Sequence, residues 1–171
     1  NRLYTALSQT NRTIIHSTSK ELLFNQACRI AVTYGGFVHS WIRIFDREKN
    51  VFIPVSQAGF EMNLDEIELS LDPDDSKGGI CSVAFRENRP VISNALLDEP
   101  LIAPWKEQLK ARGIVSGAYL PLYQNGKPTA IFGVYSSESD FFSDDLVELL
   151  IEMSEDISFA LENIAREESS L

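Results

Sequence analysis

From Ser143 onward the chain carries an uninterrupted helical pattern. Leu146, Leu150, Met153, Ile157, Ala160 and Ile164 follow one another at spacings of four, three, four, three and four. Ser143 supplies an N-cap hydroxyl, and Asp144 and Asp145 lie at the positive helix end. A seam of about three heptads cannot stay in water, so whatever precedes it must supply an apolar surface, or a second copy must. Leu149 and Leu161 widen the stripe, so part of this face is expected to pack on the chain's own sheet.

The preceding residues show two periodicities. At the start, Leu3, Leu7, Thr10 and Ile14 recur at helical spacing, predicting an N-terminal helix within residues 1–18. After Ser17-Thr18-Ser19 a second helix follows, with Leu23, Ala27, Ile30 and Tyr34 on one stripe and Phe24, Cys28 and Ala31 beside it; Gly35-Gly36 ends it. Then FVHSWIRIF and VFIPVSQAG, β-branched and aromatic, flank the polar turn DREKN and read as a hairpin. Residues 60–79 are acidic, punctuated by Pro73 and Gly78-Gly79, and are expected to be a variable connection. A short helix over ICSVAFREN, a brief strand PVISN, a loop and a helix over WKEQLKARG come next. Two strands around QNGK follow, where Asn125-Gly126 is the strongest hairpin-turn signal in the chain.

This order argues for an α+β fold: one antiparallel sheet, with N- and C-terminal helices on one face. On the first strand Val38, Ser40, Ile42 and Ile44 alternate with Phe37, His39, Trp41, Arg43 and Phe45. The aliphatic set suits helix packing. The aromatic, polar-studded set suits a cavity wall.

The 171 residues, 44% hydrophobic, fit one domain with one core. Lys plus Arg number 15 against 25 Asp plus Glu, and the net charge of −10 repels nucleic acid and anionic membrane at long range. Two cysteines, Cys28 and Cys81, are too few for a disulfide framework, so a reducing cytoplasm is expected. No apolar run approaches the ~20 residues of a membrane span, so no membrane contact by this segment is expected. The first residue, Asn1, is not a Met and is read as a sign of a fragment cut from a longer protein.

The run GGICSVAFRENRPVISN, the segment from Asp98 to Ser137 ending in the paired Pro-Leu strand and a Gly-containing last strand, and FFSDDLVELLIEMSEDISFALE together resemble a GAF domain over the chain from about Ser19. The resemblance implies a six-stranded antiparallel sheet, terminal helices on one face, and short helices and loops forming a small-molecule pocket on the other. It also implies frequent parallel dimers and an exit helix, here residues 143–168, leading to an output domain in a larger bacterial-style signalling protein, of the cyclic-dinucleotide or two-component kind. The whole of 1–171 is then a single domain. Neither the Asn-Lys-Phe-Asp-Glu signature of cyclic-nucleotide binders nor the Asp-Ile-Pro motif of bilin binders is present.

Candidate pocket residues are His39, Trp41, Arg43, Cys81, Asn94, Asp98, Trp105, Tyr119 and Tyr135: aromatic walls, one guanidinium for a carboxylate or phosphate, and polar loop rims. Leu146, Leu150, Met153, Ile157 and Ile164 are candidates for dimerisation through the terminal helices and for signal transfer. Each has a plainer reading. Cys81 near a helix start is a reactive thiol or a small buried apolar residue, and His39 a haem ligand or a hydrogen-bonded strand histidine. Asp72, Asp74 and Asp75 lack the glycine and ligand order of a calcium loop and read as a solvated turn. With two histidines, His16 and His39, no metal site is expected, and no cofactor is required. The leading reading is a non-catalytic, ligand-sensing, homodimeric regulatory domain. The alternative is a thiol-dependent reductase of free methionine sulfoxide with Cys81 as nucleophile, although Cys28, on a distant helix, is not an evident resolving partner.

Overall fold

The computed structural model describes residues 2–170, except the side chains of residues 2 and 3, so the seam position Leu3 lies outside the described side chains. Helix α1 spans Arg2–Ile14, and α2 spans Lys20–Gly35. The Ser19 hydroxyl accepts the Leu22 amide at 3.2 Å, and Gly36 ends α2 at φ 76°, a left-handed conformation that costs glycine little. Strands β1 (His39–Asp46) and β2 (Val51–Gly59) form the first hairpin. Its turn is held by the Asp46 carboxylate, which accepts the amides of Glu48 and Lys49.

Strand β3 is the two-residue stretch Leu69–Ser70, followed by α3 (Gly79–Glu87) and β4 (Val91–Ser93). Two 3-10 turns, Leu96–Asp98 and Pro100–Trp105, lead into α4 (Lys106–Ala111). Strands β5 (Ser116–Gln124) and β6 (Lys127–Ser136) meet at Asn125 and Gly126, both with positive φ (55° and 75°), as a two-residue type I′ turn demands. Helix α5 runs Asp144–Ser169, its first turn capped by the Ser143 hydroxyl on the Leu146 amide.

The strands form one antiparallel sheet in the order β3-β2-β1-β6-β5-β4. Reading run by run, the sequence yields five strands. The sixth, β3, pairs only with Val51 and Phe52, inside the acidic stretch expected to be a connection. Two residues are too few to show alternation, and their partners lie far back in the chain.

Two apolar clusters lie on opposite faces of the sheet. On one, Ile42, Leu120, Leu122, Phe132 and Val134 pack against α1, α2 and α5. Leu146, Leu150, Met153, Ile157, Ala160 and Ile164 are all buried there by their own chain. Burying six such side chains contributes on the order of 1.5–3 kcal/mol for each large one. The seam thus faces the chain's own sheet, and a second copy would find it already covered. Opposite the seam α5 shows water Glu148, Glu152, Glu155 and Phe159, the last 54% exposed. Tyr34, placed on the α2 packing stripe by spacing, is also exposed, one residue before the helix ends.

The alternation along β1 holds from His39 onward, with Trp41 and Phe45 in the cluster on the other face. Phe37 does not follow it. Lying before the strand, it turns to the helix side and meets Phe141 and Phe142 at 5.5 and 5.7 Å, while Val38 joins the opposite cluster.

Candidate functional site

On the face away from the terminal helices, β1, β5 and β6 aim aromatic side chains at one point. Trp41 meets the rings of Tyr119 and Tyr135 at centroid distances of 5.8 and 6.2 Å. The two tyrosine hydroxyls lie 3.1 Å apart, and burial pushes both phenols above their usual range. Alternation makes this possible: Tyr119 sits between Ala118 and Leu120, both on the helix face.

The roof comes from α3 and from the segment between β4 and β5. Asp75, at φ 60°, anchors α3. Its carboxylate accepts the Ser82 hydroxyl at 2.6 Å and Arg86 Nη2 at 2.5 Å, and its carbonyl accepts the Gly79 amide at 2.8 Å. This buried acid is a correction to the solvated turn expected for Asp72, Asp74 and Asp75. Of the three it is the one the fold takes inside, because Ser82 and Arg86, about one and two turns along α3, reach back to meet it. From the other side Ile102, Trp105 and Leu109 close down. Gly79 has φ 57°, and a Cβ built there would lie 2.7 Å from Trp105 Cζ3, so the indole rests directly on the glycine backbone.

Arg43 enters this chamber from β1 and is 2% exposed. Its Nη1 donates to the Phe52 carbonyl at 2.8 Å, and its Nη2 donates to the carbonyls of Leu64 (3.0 Å) and Ile67 (2.8 Å). The side chain thereby staples the 3-10 turn Leu64–Glu66 to β2. Cys81 is also buried, and desolvation pushes its thiol up to about 12, only partly offset by the nearby guanidinium. A thiol so held stays protonated and is a poor nucleophile. Cys28, pushed up to about 11 by burial, belongs to the cluster on the opposite face of the sheet and is not positioned to resolve it.

Six of the nine sequence-nominated residues, Trp41, Arg43, Cys81, Trp105, Tyr119 and Tyr135, line one cavity. The other three do not. His39 lies behind the wall, fully buried, with Nε2 3.0 Å from Gln57 Oε1 and its ring stacked by Phe60 and Tyr135, so it is a core histidine and no haem ligand site. Asn94 ties β4 to the entry of α5, donating to the Phe142 carbonyl and accepting its amide. Asp98 closes the 3-10 turn Leu96–Asp98, outside the cavity lining. Both were nominated for lying on loops, a criterion that does not say which loops meet.

Sequence reasoning missed Met62, Leu64, Ile67 and Leu69, all from the acidic stretch. The available signal was the apolar residue recurring every two or three positions among the acids. The cavity encloses about 50 Å³, room for a few waters and well below the roughly 300–1,000 Å³ of small-molecule sites. Among the described residues no group of three or more His, Cys, Asp or Glu could hold a metal ion. No helix among them is long and apolar enough to cross a membrane.

The profile of the GAF domain family matches residues 17–162. Among solved structures, the chain is similar to the GAF domain from a phosphoenolpyruvate-protein phosphotransferase of Coxiella burnetii. The TM-score is 0.79 at 12% identity, covering 99% of this chain and 98% of that one. It is similar also to free methionine-R-sulfoxide reductase from Neisseria meningitidis in complex with its substrate (TM-score 0.78, 13% identity, 96% and 91% covered). The corresponding reductase of Staphylococcus aureus gives 0.73 at 14% identity, with 92% and 95% covered. At such identities the likeness is one of fold alone. No curated protein sequence is significantly similar to the chain.

Proposed function

The chain belongs to the GAF domain family, and on that premise we propose that it is a non-catalytic regulatory module that binds a small molecule and reports it through its terminal helices to an output domain of a larger cytoplasmic signalling protein. The observation that carries this is the wiring of β5. Tyr119 reaches the cavity, while its neighbours Ala118 and Leu120 pack in the cluster that holds the α5 seam. A ligand that displaces Tyr119 shifts the strand against α5, and differential affinity for two helix arrangements is what a signal needs.

Leu146, Leu150, Met153, Ile157 and Ile164 then transmit, and dimerisation uses the outward face of α5 centred on Phe159 together with α1. Hydrogen exchange tests the relay on freshly purified protein, with native mass spectrometry to reveal any small molecule that travels with it. A ligand-dependent change in amide protection along α5 is expected. Protection that stays the same with and without ligand would leave only a globular spacer. Sedimentation tests the dimer, and Phe159→Glu is expected to shift it toward monomer.

The reductase reading has the fold likeness in its favour. The buried, protonated Cys81 and the absence of a second thiol on its face of the sheet count against it. Methionine sulfoxide reduction above background by the wild-type chain, lost in Cys81→Ser, would reverse that preference.

A further inference from the structure

Among the described residues, Arg43 is the one ionised side chain lining the cavity; the other lining residues are apolar, amide-bearing, or phenols and a thiol held neutral by burial. No carboxylate of the described residues pairs with it within 4.0 Å. The carbonyls of Phe52, Leu64 and Ile67 satisfy three of its five N–H groups and leave two without an acceptor among the described residues. Carbonyl dipoles satisfy hydrogen bonds but do not neutralise a charge, and a buried charge without a counter-ion costs several kcal/mol. The exposed Asp65 acts on it only from a distance.

Resting on the ligand-sensing reading above, we infer that the ligand is a small organic monocarboxylate. Its anionic head meets Arg43 and its apolar body lies between Trp41, Ile80 and Leu109. One guanidinium balances one negative charge. A phosphate dianion would need a second cation, and the cavity lining supplies none. The apolar walls select a hydrocarbon or aromatic body rather than a sugar. At about 50 Å³ the closed cavity is too small for such a molecule, so entry requires the partly exposed Trp105 to swing off Gly79. The monocarboxylate supplies the missing counter-ion as it opens the roof, so binding the charge and moving the 3-10 segment are one event.

The test compares isosteric pairs, phenylacetate with phenylacetamide and hexanoate with hexanamide, together with inorganic phosphate. The chain carries two tryptophans, Trp41 and Trp105, and both line the cavity, so intrinsic fluorescence and the thermal midpoint are the readouts. At least one carboxylate is expected to bind about tenfold or more tighter than its amide, with phosphate weaker still. Arg43→Met, if near-ultraviolet circular dichroism shows it folded, is expected to erase that preference; a preference that survives in the folded variant overturns the role of Arg43. The wild-type comparison holds whether or not the variant folds. Amides binding as well as carboxylates, or phosphate binding better, overturns the anion class but leaves the pocket standing. Binding by neither member of either pair overturns both the anion class and the ligand-sensing reading.

Discussion

The indole of Trp41 lies flat across the backbone of Gly133: a Cβ built on that glycine would stand 2.1 Å from Trp41 Cε2, with the two residues paired across β1 and β6. Gly133→Ala therefore forces either the indole out of the cavity wall or the strands apart. A loss on the order of 1–3 kcal/mol is expected, read as a lower urea midpoint at unchanged slope, together with a shifted tryptophan emission. Wild-type stability in this variant would mean that the indole has another place to go.

His39 gives an acid limb to stability. Burial holds its pKa below the ordinary 6.5, an effect that Gln57 partly offsets and the nearby Arg112 adds to. The unfolded chain thus takes up a proton that the folded chain resists. The stabilising contribution is fully present above 6.5 and is lost as pH falls from there through the lower folded pKa. Urea midpoints should decline through this window, and His39→Gln should flatten the decline. An identical pH profile in the variant would assign the acid limb to other groups.

Asp75 and Arg86 make the second pH-linked contribution. Burial by itself raises the Asp75 carboxyl, but the hydrogen bonds from Arg86 and Ser82 outweigh it and hold the pKa below 3.8. Stability from this acid is present above that value and is lost as pH falls through the depressed folded pKa. Asp75→Asn is expected to cost on the order of 1–2 kcal/mol at neutral pH, a modest figure because Arg86 remains half in water. Loosening of α3 should show as faster amide exchange over Gly79–Glu87.

The thiols should be silent in the native state. With Cys28 and Cys81 buried and pushed to about 11 and about 12, a disulfide reagent at neutral pH is expected to label neither until denaturant is added. Rapid labelling of Cys81 in the folded chain would show that the roof opens often and would revive the thiol chemistry.

Elements that depend on local rules were legible. The capping hydroxyls of Ser19 and Ser143, the stop at Gly36 and the turn at Asn125-Gly126 stand where their neighbours in sequence placed them, because each satisfies a backbone requirement within a few residues. The aromatic face of β1 was legible for the same reason, since period-2 alternation is local. Whether Phe37 followed that alternation was not. It depends on where the strand begins, which pairing with Tyr135 and Gly59 decides at His39.

The sequence by itself determined the helix and strand order, the caps and turns, the spacing of the α5 seam, and the kinds of side chain available for a site. Only the tertiary structure decided which of these meet. It spent the seam on the chain's own sheet, drew Asp75 inside and sent Asn94 to brace α5. It also brought Leu64 and Ile67 from the acidic stretch to the guanidinium of Arg43. The reason is physical: caps, turns and periodicities are settled by neighbours a few residues apart, whereas burial and charge pairing depend on contacts across the chain that no local pattern encodes.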